Sequence, residues 1–254
     1  MFLEPDRFAL LEEEVLEPLE PYSLRILQKK KGFRFGIDAV LLADFVRGGP
    51  TARCVDLGTG GGIIPLLLLG SGKAAQAVGV ELQESYAQMA ARCALLNRLQ
   101  GRLRIFQGSV TQAPGELGGP FDFVTANPPY KEAGGGIPSA REDRLLARFE
   151  VSAPFSEFAA CAGKLLKSKG RFYLVHRPER LCDVLCALRS ARLEPKRIRF
   201  VHSYADKPPV LFLLESLKDG NPHLKFQPPL ILYEKDGSYT PEAAAMYGDY
   251  HYEI

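Results

Sequence analysis

Between residues 53 and 191 the chain alternates two kinds of apolar pattern. Short, mostly apolar runs at Arg53–Leu57, Gln76–Glu81, Leu103–Gln107, Phe121–Ala126 and residues 171–176 have the length of buried strands. Between them, apolar residues recur at helical spacing over residues 63–69, 83–97, 155–166 and 179–191. Strands alternating with helices imply a parallel sheet covered on both faces. After residue 191 the pattern changes. Two β-rich runs, residues 197–202 and 210–215, are joined by Tyr204-Ala205-Asp206-Lys207-Pro208-Pro209. So short a link suits an antiparallel hairpin at the sheet edge, because parallel strands need a longer crossover. The expected fold is α/β, a doubly wound, mostly parallel seven-stranded sheet ending in an antiparallel hairpin. No repeat or low-complexity linker divides the chain. It reads as one domain: an extension over residues 1–50, a core over residues 51–217, and a C-terminal decoration over residues 218–254. The acidic start reads as peripheral too.

Composition narrows the class. The chain has 254 residues, 46% hydrophobic and 24% charged, which is ordinary for a globular protein. No run approaches the roughly 18 apolar residues of a membrane span. The opening Met1-Phe2-Leu3-Glu4-Pro5-Asp6 lacks the basic and apolar regions of a signal peptide, which points to the cytoplasm. Five scattered cysteines form no C-x-x-C pair, and the four histidines do not gather near them. Reduced core thiols, and no metal, are the expectation.

A net charge of +2 hides strong segregation. Residues 1–20 hold seven acids and one base. Residues 25–34 hold five bases and no acid: Arg25, Lys29, Lys30, Lys31 and Arg34. Residues 164–199 hold eleven bases against three acids. Such segregation makes either a basic face for a polyanion or a solvated helix face, and charge alone does not separate the two.

Two loops carry candidate chemistry. Cys54-Val55-Asp56-Leu57-Gly58-Thr59-Gly60-Gly61-Gly62 is a strand entering a glycine turn that opens a helix. Glycines permit positive φ and let a ligand touch backbone, and the helix start favours an anionic group. A dinucleotide fingerprint starting at Gly58 would need glycine or alanine at the position of Ile63. A phosphate-binding Walker loop would need Gly-Lys-Ser/Thr, and Ile63-Ile64-Pro65 supplies none of it. Asp56 at the end of the first strand suits a cationic amino-acid ligand instead. Glu81 closes the second strand, where a carboxylate can take both hydroxyls of a ribose.

The second loop, Asn127-Pro128-Pro129-Tyr130, follows the strand Phe121–Ala126 at the expected carboxyl edge of the sheet, where open α/β folds bind ligands. Pro128 and Pro129 fix φ and remove two backbone donors. The Asn127 side-chain oxygen and the Pro128 carbonyl remain as acceptors, and two converging acceptors can hold both N–H donors of a planar amino group. That draws its lone pair out of conjugation and aims it at a methyl donor. Tyr130 offers a face on which a base can stack, worth about 1–3 kcal/mol.

Together these loops resemble the class I S-adenosylmethionine-dependent methyltransferases that act on amino nitrogens. Within that group, the run Gly32-Phe33-Arg34-Phe35-Gly36-Ile37-Asp38-Ala39-Val40-Leu41-Leu42-Ala43 looks like the opening of the valine tRNA adenine-N6 methyltransferases, as do Ala140-Arg141-Glu142 and Leu165-Leu166-Lys167 with Gly170. The resemblance spans about residues 33–210. It implies S-adenosylmethionine as cofactor and an RNA adenine, in tRNA, as acceptor. Asp56, Gly58 and Gly60 would then line the methionine end and Glu81 the ribose. Phe35 and Asp38 would cover the cofactor. Asn127 and Pro128 would hold the target, with Tyr130 stacked on it. Phosphates would be gripped by Arg25, Lys29, Lys30, Lys31, Arg34, Arg141, Lys164 and Lys167. Without the resemblance, the N-terminal run reads as an amphipathic helix start with Asp38 as its capping acid. One position departs from the group: Ser109 stands where such enzymes commonly place an acid for the cofactor's adenine amino group. The glycines Gly134, Gly135 and Gly136 read equally as a lid or a spacer. Two rival readings remain, a protein glutamine as acceptor and a non-enzymatic RNA-binding module on the same scaffold.

Overall fold

The computed structural model describes residues 1–3, 5, 8–19, 22–31, 35–129 and 153–247. Five parallel strands form its centre: β4 (Arg53–Leu57), β5 (Gln76–Glu81), β6 (Leu103–Gln107), β7 (Phe121–Ala126) and β8 (Leu166–His176). Their spatial order is β6-β5-β4-β7-β8. The chain therefore winds outward from β4 to β6 and then restarts on the other side of β4. That reversal, between β4 and β7, is the switch point where a crevice opens at the carboxyl ends of the strands.

Beyond β8 the sheet turns antiparallel. Strand β10 (Pro209–Lys218) pairs with β8 and with β9 (Leu193–His202). These seven strands match the sequence expectation, but the sheet is larger. Three two-residue strands extend it to ten: β1 (Phe2–Leu3) on β6, and β11 (Lys225–Phe226) and β12 (Leu230–Ile231) on β9. A two-residue strand has no alternation to read, so nothing in the pattern announced them.

Alternate residues of each central strand feed two apolar cores. Cys54, Phe123 and Tyr173 face one side with α1 (Ile37–Phe45), α2 (Ile63–Gly70) and α3 (Glu84–Leu96). Val55, Val124 and Phe172 face the other with α4 (Ala113–Glu116), α5 (Phe155–Leu165) and α6 (Leu181–Ser190). Leu166, expected at the end of a helix, opens β8 instead. The expected amphipathic helix at α1 is also corrected. Ala39, Val40, Leu41, Leu42, Ala43 and Phe45 are all buried, because α1 lies between the sheet, α2 and the C-terminal helix α7 (Pro241–Tyr247). With Asp44 as its one exposed residue, α1 is buried on nearly every side and is a core helix.

The acidic N-terminal stretch is only partly peripheral. Strands β2 (Glu14–Leu19) and β3 (Leu24–Lys29) form an antiparallel hairpin. Leu19, Ile26 and Leu27 are fully buried, each worth roughly 1.5–3 kcal/mol in apolar burial. The hairpin lies along α3. The Leu27 N–H donates to Cys93 Sγ at 3.2 Å, and Asn97 Oδ1 accepts the Arg25 N–H at 2.8 Å. The Arg92 guanidinium forks onto the buried Glu14 carboxylate, with Nη1 to Oε2 at 2.7 Å. Among the described residues no helix is long and apolar enough to cross a membrane, and no three metal-ligating side chains gather. The five cysteines are free thiols.

Candidate active site

The glycine turn is built as its sequence demands. Gly58, Gly60 and Gly62 have φ of 73°, 55° and 88°, a left-handed region that costs a residue with a Cβ. The N–H groups of Gly58 and Thr59 both donate to the Val80 carbonyl at 2.9 Å, which locks the turn against β5. Strand β5 carries Gly79 at this level, where a Cβ would come within 2.7 Å of the Thr59 side chain. A Cβ at Gly60 would meet nothing within 4 Å, so open space lies over the middle of the turn.

Two acids flank the turn. Asp56 is 1% exposed; its Oδ1 accepts a 2.6 Å bond from the Thr125 hydroxyl. Its Oδ2 has no hydrogen-bond partner among the described residues, and neither has Thr59 Oγ1. Burial pushes the Asp56 pKa up to about 7 against the pull of the nearby Thr125 and Thr59 hydroxyls, and the charge of Glu81 adds to the rise. A buried acceptor left unsatisfied costs about 1–3 kcal/mol, so a ligand ammonium reaching Oδ2 would recover that cost. Glu81 is better served. Its Oε2 accepts the Gly60 N–H and its Oε1 the Gln83 N–H, both at 2.9 Å, while burial raises its pKa. These bonds fix the carboxylate at the end of β5, beside the turn.

Next to β4, strand β7 ends at Ala126 and the Asn127-Pro128-Pro129 turn begins. Asn127 is half-buried, Pro128 buried and Pro129 exposed. Register pairs Ala126 with Leu174, so His176, two residues further along β8, stands level with the turn. The buried His176 ring meets Phe155 edge-on at 5.8 Å and stacks on Phe212 at 6.2 Å. Burial, with the nearby charge of Arg180, pushes its pKa down to about 4, so the imidazole itself is neutral at neutral pH.

The remaining predicted residues separate into groups. Helix α1 runs back along the sheet, so its N-terminus shares the crevice edge. The Phe35 N–H there donates to Gln28 Oε1 of the hairpin at 3.2 Å. The N-cap residue is Gly36, not Asp38; Asp38 lies in the first turn, where its Oδ1 accepts the Ala39 N–H at 3.0 Å. Ser109 follows β6 at the same edge, its hydroxyl 2.8 Å from that of Thr111.

The basic residues do not form one face. Lys29 is at the crevice end of β3, bonded to Ser85 Oγ at 3.0 Å and 4.2 Å over the Tyr86 ring at the start of α3. Lys30 Nζ donates to the Glu12 carbonyl at 2.7 Å, and Lys31 is exposed. Arg25 sits against Asn97 at the other end of α3. Lys164 closes α5, and Lys167 forms an ion pair with Asp122 at the start of β7. Five residue steps separate Asp122 from Asn127, about 16 Å of strand. Lys164, Lys167 and Arg25 are therefore at the opposite edge of the sheet from the turn, because a strand or helix between them reverses their position. Tyr130, Arg34, Arg141 and the glycines 134–136 lie outside the described residues.

Sequence reasoning missed Thr125, the partner of Asp56, and Gln28, which holds the Phe35 backbone. Thr125 faces Asp56 across β4 and β7, a pairing that becomes visible once the strand register is known.

The crevice suits a ligand with a cationic amino-acid end and a ribose: a buried carboxylate with one oxygen unsatisfied, a left-handed glycine turn and a fixed second carboxylate stand side by side. A family profile described as the methyltransferase small domain matches residues 36–188. The tRNA1(Val) (adenine(37)-N6)-methyltransferase of Porphyromonas gingivalis is 29% identical over 221 residues, covering 82% of this chain and 85% of its own. The enzyme of that description from Yersinia enterocolitica is 29% identical, with 86% of each chain covered. Among solved structures, a predicted O-methyltransferase from Agrobacterium tumefaciens superposes with a TM-score of 0.67 at 25% identity, covering 83% of this chain and 95% of that one. The profile runs from the start of α1 almost to the end of α6 and takes in both loops of the crevice: this chain belongs to the methyltransferase small domain family, and its cofactor is S-adenosylmethionine.

Proposed function

We propose that the protein methylates the N6 amino group of an adenine in RNA, with tRNA as the substrate class and adenine 37 of valine tRNA as the target. The observation that carries this reading is the Asn127-Pro128-Pro129 turn beside the glycine cradle at the switch point of the sheet. The activity for which the relatives in Porphyromonas and Yersinia are named supports the acceptor.

Bound S-adenosylmethionine supplies an electrophilic methyl group on a sulfonium. The protein's own residues do the positioning. Asp56 takes a cationic amino group at Oδ2, and Glu81 accepts from ribose hydroxyls. The Asn127 side-chain oxygen and the Pro128 carbonyl accept the two N–H donors of the target amine, which brings its nitrogen lone pair out of the ring plane. The aromatic wall at His176 and Phe155 keeps water from the target. No strong base is required, because the nitrogen sheds its proton after it has become cationic. Positioning supplies much of the rate in such an in-line displacement. An adenine must leave its stack to enter the crevice. The exposed bases at its edge, Lys30 and Lys31, would meet phosphates, and RNA affinity should fall as salt rises. The reading carries a cytoplasmic location with it.

The test is Asn127→Ala assayed with valine tRNA transcript and labelled cofactor. Losing one transition-state contact of this kind typically costs about 10²–10³ in rate. The variant should keep its cofactor affinity and lose N6-methyladenosine formation by that order, read by nucleoside mass spectrometry. Full activity in the variant removes Asn127 from the reaction. Methyl incorporation by the native protein into a release-factor glutamine, with none into RNA, replaces the acceptor.

A further inference from the structure

Away from the crevice, the antiparallel side of the sheet holds a cavity of about 660 Å³ between β9, β10 and residues 223–228. That volume is in the range of small-molecule sites. Four permanent cations line it, Arg47, Lys196, Arg197 and Lys225, against a single carboxylate, Glu215. The carboxylate is already answered. Arg197 Nε reaches Glu215 Oε2 at 2.7 Å, and Arg171 pairs with the other oxygen. Arg47 and Lys225 have no ion-pair partner among the described residues, and both are exposed. The cavity therefore carries surplus positive charge on side chains free to turn toward a ligand.

Two further observations point the same way. Phe226 is 70% exposed at the rim, although a phenyl ring among cations adds nothing to the core. His223, also lining the cavity, has φ of 131°, a conformation that only glycine adopts without strain. Strain of that kind persists where the surroundings impose it, and it clusters at binding sites. Cations beside an exposed aromatic face are what a nucleotide needs: charge for the phosphate, a ring for the base.

We propose that this cavity is a second RNA-binding site, which takes a phosphodiester on Arg47 and Lys225 and stacks an unpaired base on Phe226. The proposal rests on RNA being the substrate. Strand β9 is three strand spacings from β7, about 14 Å across the sheet, and Arg47 follows α1 at its end away from the crevice, about 14 Å along the helix, offsets that one folded RNA can span. The crevice would then hold the target base while the cavity holds backbone elsewhere in the same molecule. Such a contact lets the protein select an RNA by its shape, beyond the identity of one adenine.

The experiment compares the full-length native protein with the triple variant Arg47→Ala, Lys225→Ala, Phe226→Ala, using valine tRNA transcript as probe across a salt series. The expected result is at least a tenfold loss of tRNA affinity. The slope of log affinity against log salt should flatten by roughly 1.5–2, the loss of two phosphate contacts. Cofactor affinity within about twofold of native reports a folded variant, and Lys225→Glu alone should weaken tRNA binding in the same direction. Native-like tRNA affinity and slope in the triple variant, while the native protein methylates RNA, overturn this site and leave the catalytic reading standing. Tight binding of adenosine monophosphate lost in the variant, with tRNA affinity unchanged, would assign the cavity to a free nucleotide and overturn the RNA assignment. A native protein that neither binds nor methylates tRNA sinks both.

Discussion

Two of the carboxylates buried in the main sheet lie at almost the same depth and are treated in opposite ways. Asp56 is 1% exposed and Glu215 is 2% exposed. Glu215, in the antiparallel half, is clasped by two guanidinium groups, and Arg197 goes on to donate to the Phe45 carbonyl at 2.7 Å. Asp56, at the crevice, has one hydroxyl donor, one oxygen with no partner and no cation beside it. Burying a charge is expensive unless it is paired and hydrogen-bonded. The paired acid ties β8, β9 and α1 together. The unpaired acid is costly in the free protein and becomes worthwhile only when a ligand brings the missing cation.

Breaking the paired acid should have the largest effect. Arg197→Met leaves Glu215 short of one cation in a buried setting, and removing one partner of a buried pair typically costs about 3–5 kcal/mol. Urea unfolding should reveal a loss of that order; a loss below about 1 kcal/mol would mean that Glu215 and Asp56 are not different after all. Glu81→Ala should come next. If Glu81 takes the cofactor's ribose as proposed, the loss of one charged hydrogen bond of about 1.5–3 kcal/mol corresponds to a cofactor affinity roughly 10- to 150-fold weaker by calorimetry. Unchanged affinity would take Glu81 out of the site.

The pH dependence sharpens the contrast most finely. Burial raises the Asp56 pKa to about 7, well above its unfolded value. The protonated form is therefore the one the fold prefers. Its contribution to stability is full below about pH 4 and is lost as pH rises toward 7, at roughly 1.4 kcal/mol per unit across that window. In the proposed role of Asp56, cofactor binding has the opposite sign, since a bound ammonium needs the ionised acid. Affinity should fall as pH drops below about 7, approaching tenfold per unit, and Asp56→Asn should abolish that slope. A flat profile in the native protein would show that Asp56 does not meet the cofactor's charge.

Sequence legibility followed the same division between crevice and periphery. The strands β4 to β7 and the turns after β4 and β7 were readable because a buried parallel strand is a continuous apolar run and its turn must be glycine or proline. Asp56 and Glu81 could be singled out by their place at strand ends. What stayed hidden depends on contacts far apart in sequence. The β2–β3 hairpin has charges interleaved along it, such as Glu17 and Arg25, and only its docking on α3 settles which face is inside. The run of bases from Arg25 to Lys31 looked like one patch, yet an extended strand carries its two ends to opposite edges of the sheet. Lys167 likewise looked available for phosphate until β8 brought it against Asp122. The bare oxygen of Asp56 depends on Thr125, which stands 69 residues away and is its neighbour only through strand pairing.

The hairpin carries a consequence for how long the enzyme holds its cofactor. The Leu27 carbonyl lies 3.5 Å from where a Cβ on Gly61 would stand, so β3 forms an outer wall of the glycine turn. Fraying of that hairpin would unroof the turn, and an occupied turn would in exchange resist fraying, since the two events share one free energy. Residence time is then governed in part by a segment that touches no reacting atom. Variation in the first thirty residues could retune turnover among related enzymes while leaving every catalytic group as it was.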